Sequence, residues 1–166
     1  MDVVIDGYNL IGSESGLGSA LEYKRNWLIQ QLIRYQDIKK YNLTVVFDGW
    51  RSGRSQETAE RAGGIAVVYS RLGEKADAVI VRLARTKAAG AVVVTSDREI
   101  QSAVERSGAT AVPAAEFSRI LRSLDRNYDA DNDEETDIGA VKKGNANRLS
   151  KSARRQNDKL KKLKIE

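Results

Sequence analysis

The sequence predicts a three-layer α/β/α sandwich built on a central parallel sheet. Three observations carry that prediction: short runs of β-branched residues without polar alternation, amphipathic helical stretches between them, and turns rich in Gly, Asn or Ser where the two meet. Continuous apolar strands indicate burial on both faces, as in a parallel sheet covered by helices. Right-handed crossovers then distribute the helices over the two faces.

Residues 2–6 (DVVID) read as the first buried strand, ending at Gly7. Residues 20–40 follow as a long amphipathic helix, with Leu21, Trp27, Leu28, Gln31, Leu32 and Tyr35 at helical spacings and Lys39-Lys40 in the last turn. Residues 44–47 form the second strand, stopped by Asp48-Gly49. The polar residues 50–62 read as a loop with a short helix from Ser55. Residues 65–69 are the third strand, and residues 75–88 a helix carried by Ala76, Val79, Ile80, Leu83 and Ala84 and stopped by Gly90. Residues 91–95 form the fourth strand, followed by a helix over 97–107 that Gly108 ends. A short fifth strand is expected at 110–112, and Pro113 opens a last helix through Phe117, Ile120, Leu121 and Leu124. From Asp125 the apolar pattern ends.

The 166 residues suffice for one domain with a hydrophobic core and an appendage. The net charge of +5 divides unequally: residues 1–124 carry +3, residues 125–138 carry −6 and residues 139–166 carry +8. The expected organisation is a folded domain over 1–124, an acidic solvated linker over 125–138, and a basic tail over 139–166 that is disordered or conditionally helical. A basic end of this strength points to a polyanionic partner. No apolar run approaches the ~20 residues needed to span a bilayer, and with no basic region or cleavage site ahead of the first strand a signal peptide is not expected. Cysteine is absent, which excludes disulfides, thiolate metal sites and cysteine nucleophiles and fits a cytoplasmic location. Histidine is absent too, so Ser-His-Asp hydrolysis, imidazole acid–base cleavage and Cys/His zinc sites are all excluded. Hydrolytic chemistry here would rest on carboxylates, with a hard ion such as Mg²⁺ or Mn²⁺.

In an open parallel sheet, ligands bind beyond the carboxyl ends of the strands, near a topological switch point. Strand one ends Asp6-Gly7-Tyr8-Asn9, strand two Asp48-Gly49, and strand four Thr95-Ser96-Asp97-Arg98-Glu99. Asp77 lies in the first turn of the helix after strand three and projects toward the same edge. Taken singly, each acid is most simply a helix-start or turn acid. Four converging on one edge are costly as decoration, since each raises the others' pKa, and a bound divalent cation relieves that cost. Divalent ions also activate water and offset charge on phosphate oxygens, the two needs of phosphodiester hydrolysis.

The strings DGYNLI (6–11), VVFDG (45–49), KADAVI (75–80) and VTSDREI (94–100) resemble, in order and spacing, the NYN branch of the PIN-like nucleases, and most of all the YacP-like group. The resemblance covers about residues 1–124. It implies a PIN-like fold and endoribonuclease activity dependent on Mg²⁺ or Mn²⁺. It also implies a link to translation, since the YacP-like group is associated with ribosomes. Asp6 matches the family's metal-ligating Asp after strand one, and Asn9 the Asn of its DGYN-type signature. Asp77 and Asp97 match the other two metal ligands. Asp48 matches the acid after strand two, expected to bind metal through water or tune its neighbours. Ser96 is expected to orient a ligand or phosphate, and Glu99 reads as a solvated acid.

The segment Trp50-Arg51-Ser52-Gly53-Arg54 follows Asp48 directly. Its small residues allow close backbone approach, Arg51 and Arg54 supply charge for phosphates, and Trp50 offers a stacking face. Arg71 and Lys75, ahead of Asp77, are further phosphate contacts, while Tyr8 is expected in the core. The basic tail reads as an RNA- or ribosome-contacting arm that the acidic stretch screens when RNA is absent. The partners expected are thus RNA, as single strand or mRNA, and the ribosome. The competing reading is a non-catalytic RNA- or ribosome-binding module on the same fold. An aspartyl phosphotransfer enzyme would need a second acid two residues after Asp6, where Tyr8 stands. No phosphate loop ending in Lys-Ser/Thr occurs, which sets aside a P-loop NTPase.

Overall fold

The computed structural model describes residues 1–15, 21–49, 55–129 and 150–165. Among these residues six strands form one sheet: β1 (Asp2–Asp6), β2 (Asn42–Phe47), β3 (Thr58–Ala62), β4 (Ile65–Tyr69), β5 (Val92–Val94) and β6 (Thr110–Val112). Among the described residues six α-helices accompany them: α1 (Gly7–Ser15), α2 (Leu21–Lys39), α3 (Ala76–Lys87), α4 (Arg98–Arg106), α5 (Ala114–Asp129) and α6 (Lys151–Leu163). The sheet order is β3-β4-β2-β1-β5-β6, and every neighbouring pair is parallel except β3 with β4. The chain runs outward from β1 through β2 to β4, then returns to β5 on the other side of β1. The crevice beyond the carboxyl ends of β1 and β5 is therefore the topological switch point.

Side chains of successive strand residues alternate between two cores. On one face Val3, Ile5, Val45, Phe47, Val67, Val92 and Val94 pack with Leu10 of α1, Leu28, Leu32 and Tyr35 of α2, Phe117 and Leu121 of α5, and Leu163 of α6. On the other, Val4, Val46, Val68 and Val93 pack with Val79 and Ile80 of α3 and Ile100 and Val104 of α4. The predicted α/β/α sandwich is thereby established, and the five expected strands are all present.

Three expectations need correction. Residues 58–62, read as part of a polar loop, form an edge strand antiparallel to β4. Gly63 and Gly64, with φ of +52° and +89°, supply the two-residue turn that such a hairpin needs. The strand is polar because it lies at the edge with its middle residues exposed, so it carries no apolar run. Second, α1 begins directly after β1, where the sequence suggests only a turn. Third, the boundary expected at residue 124 falls inside a helix, and part of 139–166, read as disordered or conditionally helical, is helical. α5 continues to Asp129, and Asp125 bonds Arg34 at 2.8 Å. α6 is packed on the body, with Leu163 wholly buried and its carbonyl accepting the buried Tyr35 hydroxyl at 2.8 Å. Sequence charge hid this, because the few apolar residues of α6 that dock are diluted among bases. Residues 130–138 of the acidic stretch, and with them the screening role proposed for it, lie outside the described residues.

Candidate active site

Asp6 closes β1 and α1 starts at the next residue, so its carboxylate sits at the helix N-cap, with Oδ1 accepting the Asn9 N–H at 3.2 Å. Its other oxygen accepts the Thr95 hydroxyl at 3.1 Å. Thr95, fully buried, also accepts the Asp97 N–H at 3.1 Å through the same oxygen, and its carbonyl takes the Gln101 side-chain amide at 2.8 Å. Asp97 caps α4, accepting the N–H groups of Glu99 and Ile100 at 2.8 and 3.1 Å. Asp48, just past β2, reaches across to accept the Ala76 N–H at 2.7 Å, capping α3 where Lys75 offers no side-chain cap. Three of the four predicted acids thus satisfy otherwise orphaned N–H groups at three helix starts. The positive ends of those helices face the same edge and offset part of the crowding of negative charge. The helix-start and gathered-acid readings of the sequence coincide here.

Asp77 is the exception: it lies exposed in the first turn of α3 and its carboxylate bonds the backbone of its own residue. Neighbouring acids nevertheless act on Asp6 and on Asp77. Burial, at 8% exposure, raises the Asp6 carboxyl to about 6. Its bonds from Asn9 and Thr95 pull it back, and the charges of Asp77 and Asp48 push it further up. Burial first, then the charges of Asp97 and Asp48, also raise Asp77, against the pull of Lys75.

The donor set is purely carboxylate and hydroxyl oxygen, which fits a hard divalent cation in chemistry and in charge. Among the described residues, though, no three acidic side chains stand close enough to hold one ion together. The caps account for part of this, since Asp48 and Asp97 each have an oxygen turned onto a helix start.

The residues expected at the substrate fare differently. The Asn9 side-chain oxygen accepts the Ser96 N–H at 2.9 Å, and the Ser96 hydroxyl accepts the Ala114 N–H at 3.0 Å. Both therefore tie α1, the β5–α4 turn and α5 together. Lys75 is exposed beside Asp77, and Arg71 is exposed and paired with Glu74 at 3.3 Å. Trp50, Arg51 and Arg54 lie outside the described residues. Tyr8 sits edge-on to Phe47 with ring centres 5.2 Å apart, in the core as expected. Glu99 and Asp77 line an open groove of about 650 Å³ between α3 and α4, with Arg82 and Arg85 further along it.

Sequence reasoning missed Thr95 as a site residue, although a polar side chain ending a buried Val-Val-Val strand is a readable signal. It also missed why Gly49 follows Asp48. A Cβ there would lie 1.6 Å from the Ser70 carbonyl oxygen, so only glycine lets the chain pass. The Gly49 N–H is also bonded to the buried Ser70 hydroxyl at 3.0 Å, which fixes the turn that carries Asp48.

The family model for the YacP-like NYN domain matches residues 3–164. The chain belongs to the YacP-like NYN domain family. Solved structures agree with the assignment. Two crystal structures of Rae1 (YacP) from Bacillus subtilis, one a mutant form, superpose with TM-scores of 0.65 and 0.63 at 26% and 27% identity. The matches cover 78% and 79% of this chain and 79% of each of those chains. No curated protein sequence matches it. The YacP-like NYN assignment brings a PIN-like fold and a nuclease-type, RNA-related function. It extends past residue 124 to take in α6. Among the described residues no helix is long and apolar enough to cross a membrane.

Proposed function

We propose that this YacP-like NYN chain is a metal-dependent endoribonuclease. It would hydrolyse RNA phosphodiester bonds at the carboxylate edge, with Asp6, Asp77 and Asp97 as ligands for Mg²⁺ or Mn²⁺ and Asp48 beside them. One observation carries the reading: Asp6 and Asp77, from separate elements facing one sheet edge, both have raised carboxyls, through burial first and then through the charges of neighbouring acids, Asp77 and Asp48 on Asp6 and Asp97 and Asp48 on Asp77. Plain RNA binding gains nothing from negative charge at the contact edge. When bound, the ion supplies an activated water and offsets charge on the phosphate.

The chain's own residues do the positioning. Asn9 and Thr95 hold the Asp6 carboxylate in one orientation. Thr95 also sets the backbone of Asp97, so the two acids are placed by a single side chain. Lys75 and Arg71 at the rim offer charge to phosphates flanking the scissile bond, and Trp50, Arg51 and Arg54 are proposed to do the same from beside Asp48. mRNA on the ribosome, in the cytoplasm, is the substrate setting that the sequence resemblance favours.

The test is cleavage of single-stranded and structured RNA with Mn²⁺ or Mg²⁺, comparing wild type with Asp97→Asn and with EDTA, then on translating ribosomes. Loss of cleavage in both controls is expected. The competing reading, a non-catalytic RNA-binding module, draws on the capping engagement of Asp48 and Asp97. Intact RNA in every arm, with binding retained, would establish it instead.

A further inference from the structure

We propose that the outward face of α6 is a second RNA-binding surface, gripping the phosphate backbone of structured RNA at the sheet edge opposite the carboxylates. The inference goes beyond the cleavage reading and does not depend on it.

The placement of α6 follows from its bonds. Gln156 donates to the Ala111 carbonyl at 3.1 Å, and Lys159 to that of Gly90 at 2.9 Å. At its C-terminal end the carbonyls of Lys162, Leu163 and Lys164 accept from Tyr41, Tyr35 and Lys39 at 3.1, 2.8 and 2.8 Å. Lys159 also approaches Met1 at 3.9 Å. Met1, Tyr41 and Gly90 lie just ahead of β1, β2 and β5, so α6 runs along the amino ends of the strands. The acids stand at the carboxyl ends, roughly 17 Å away for a five-residue strand.

With Leu163, Leu160, Gln156 and Lys159 turned inward, helical spacing puts Lys151, Arg154, Arg155, Lys161 and Lys162 outward, all exposed. Asp158 is the single acid among them. None of these five bases takes part in an ion pair among the described residues. Three of them crowd the first two turns, where no acid stands in the first turn. Cations at a helix start oppose the helix dipole, and the Lys151–Arg155 spacing adds like-charge repulsion. Helix stability alone disfavours that arrangement; a polyanion relieves it. The bases span about 17 Å of helix, enough for several successive phosphates. The outward face bears no large apolar side chain to enter a bilayer, so charge complementarity favours a hydrated phosphate backbone.

The test measures binding of the full chain to a labelled RNA hairpin of about 16 base pairs, across a salt series in EDTA. Wild type is compared with a combined variant, Lys151→Gln, Arg154→Gln, Arg155→Gln and Lys162→Gln. The expected result is at least about tenfold weaker binding at moderate salt, with the salt slope lower by about one for each phosphate that is no longer neutralised. A second variant that exchanges Arg and Lys at these positions should bind like wild type, separating charge from any loss of fold. Unchanged affinity and slope in the Gln variant would overturn the proposal. So would loss of binding confined to phosphatidylglycerol vesicles, which would make the face a lipid surface. Because EDTA removes turnover from the readout, failure of the nuclease reading would leave this result standing.

Discussion

At the scale of single residues, the acids of this edge have two duties that substitution can separate. Asp97 is the N-cap of α4, and asparagine caps a helix about as well as aspartate. Asp97→Asn should therefore melt close to wild type while cleavage falls by roughly a hundredfold or more. Asp97→Ala should lose the same activity and also about 1 kcal/mol of stability. Matching melting curves for the two variants would remove the capping role. Asp6 makes a pH-dependent prediction. Its carboxyl is raised by burial to about 6, so the fold binds that proton more tightly than the unfolded chain does. The stabilising contribution is complete below the unfolded value near 4 and is lost as the pH rises through 6. Asp6→Asn should accordingly be more stable than wild type at about pH 7, by up to roughly 2–3 kcal/mol, and gain nothing near pH 4. Denaturant unfolding at the two pH values checks this; an equal gap at both would show that buried charge is not the cause.

At the scale of elements, α6 shows how little apolar surface is needed to dock a charged helix. Leu163 is wholly buried, and the carbonyls beside it cap the hydroxyls of Tyr35 and Tyr41. Leu163→Ala should cost about 2–5 kcal/mol, the usual range for a buried leucine, which a thermal or denaturant melt would reveal. A cost under about 0.5 kcal/mol, typical of surface positions, would mean that α6 is held by its polar contacts alone. The elements also differ in how plainly they were written in sequence. β1, β2, β4 and β5 were legible because burial on both faces forces unbroken β-branched runs. β3 was not, because an edge strand with exposed middle residues needs no apolar pattern; its Gly63-Gly64 turn was the signal to read. α1 was hidden by its own brevity and by the Gly-rich residues after it. α5 ran past the expected stop because Asp125, which reads as a linker acid, pairs with Arg34 of α2.

At the scale of the whole molecule, four mutually repelling acids should make a divalent cation a stabiliser. Adding Mn²⁺ to a hundred times its Kd should stabilise wild type by about 2.7 kcal/mol, seen as a higher Tm that EDTA reverses. Asp77→Asn should respond much less, because Asp77 is the acid not engaged in capping and so the freest to turn toward an ion. An identical rise in both proteins would place the cation elsewhere.

The sequence alone determined the layered fold, the edge that bears the acids, and the donor chemistry available there. Each of these follows from local pattern or composition: apolar runs set burial, strand ends set position, and the absence of His and Cys leaves oxygen donors. The tertiary structure decided what depends on contacts distant in the chain. It showed Asp48 capping a helix that starts at Ala76, Thr95 joining Asp6 to Asp97, and the side chains of Asn9 and Ser96 accepting the N–H groups of Ser96 and Ala114. It also turned the start of a linker and most of a basic tail into packed helices. A hydrogen bond across 89 residues leaves no periodic trace in sequence, since its geometry exists only once the sheet has brought the two strand ends together.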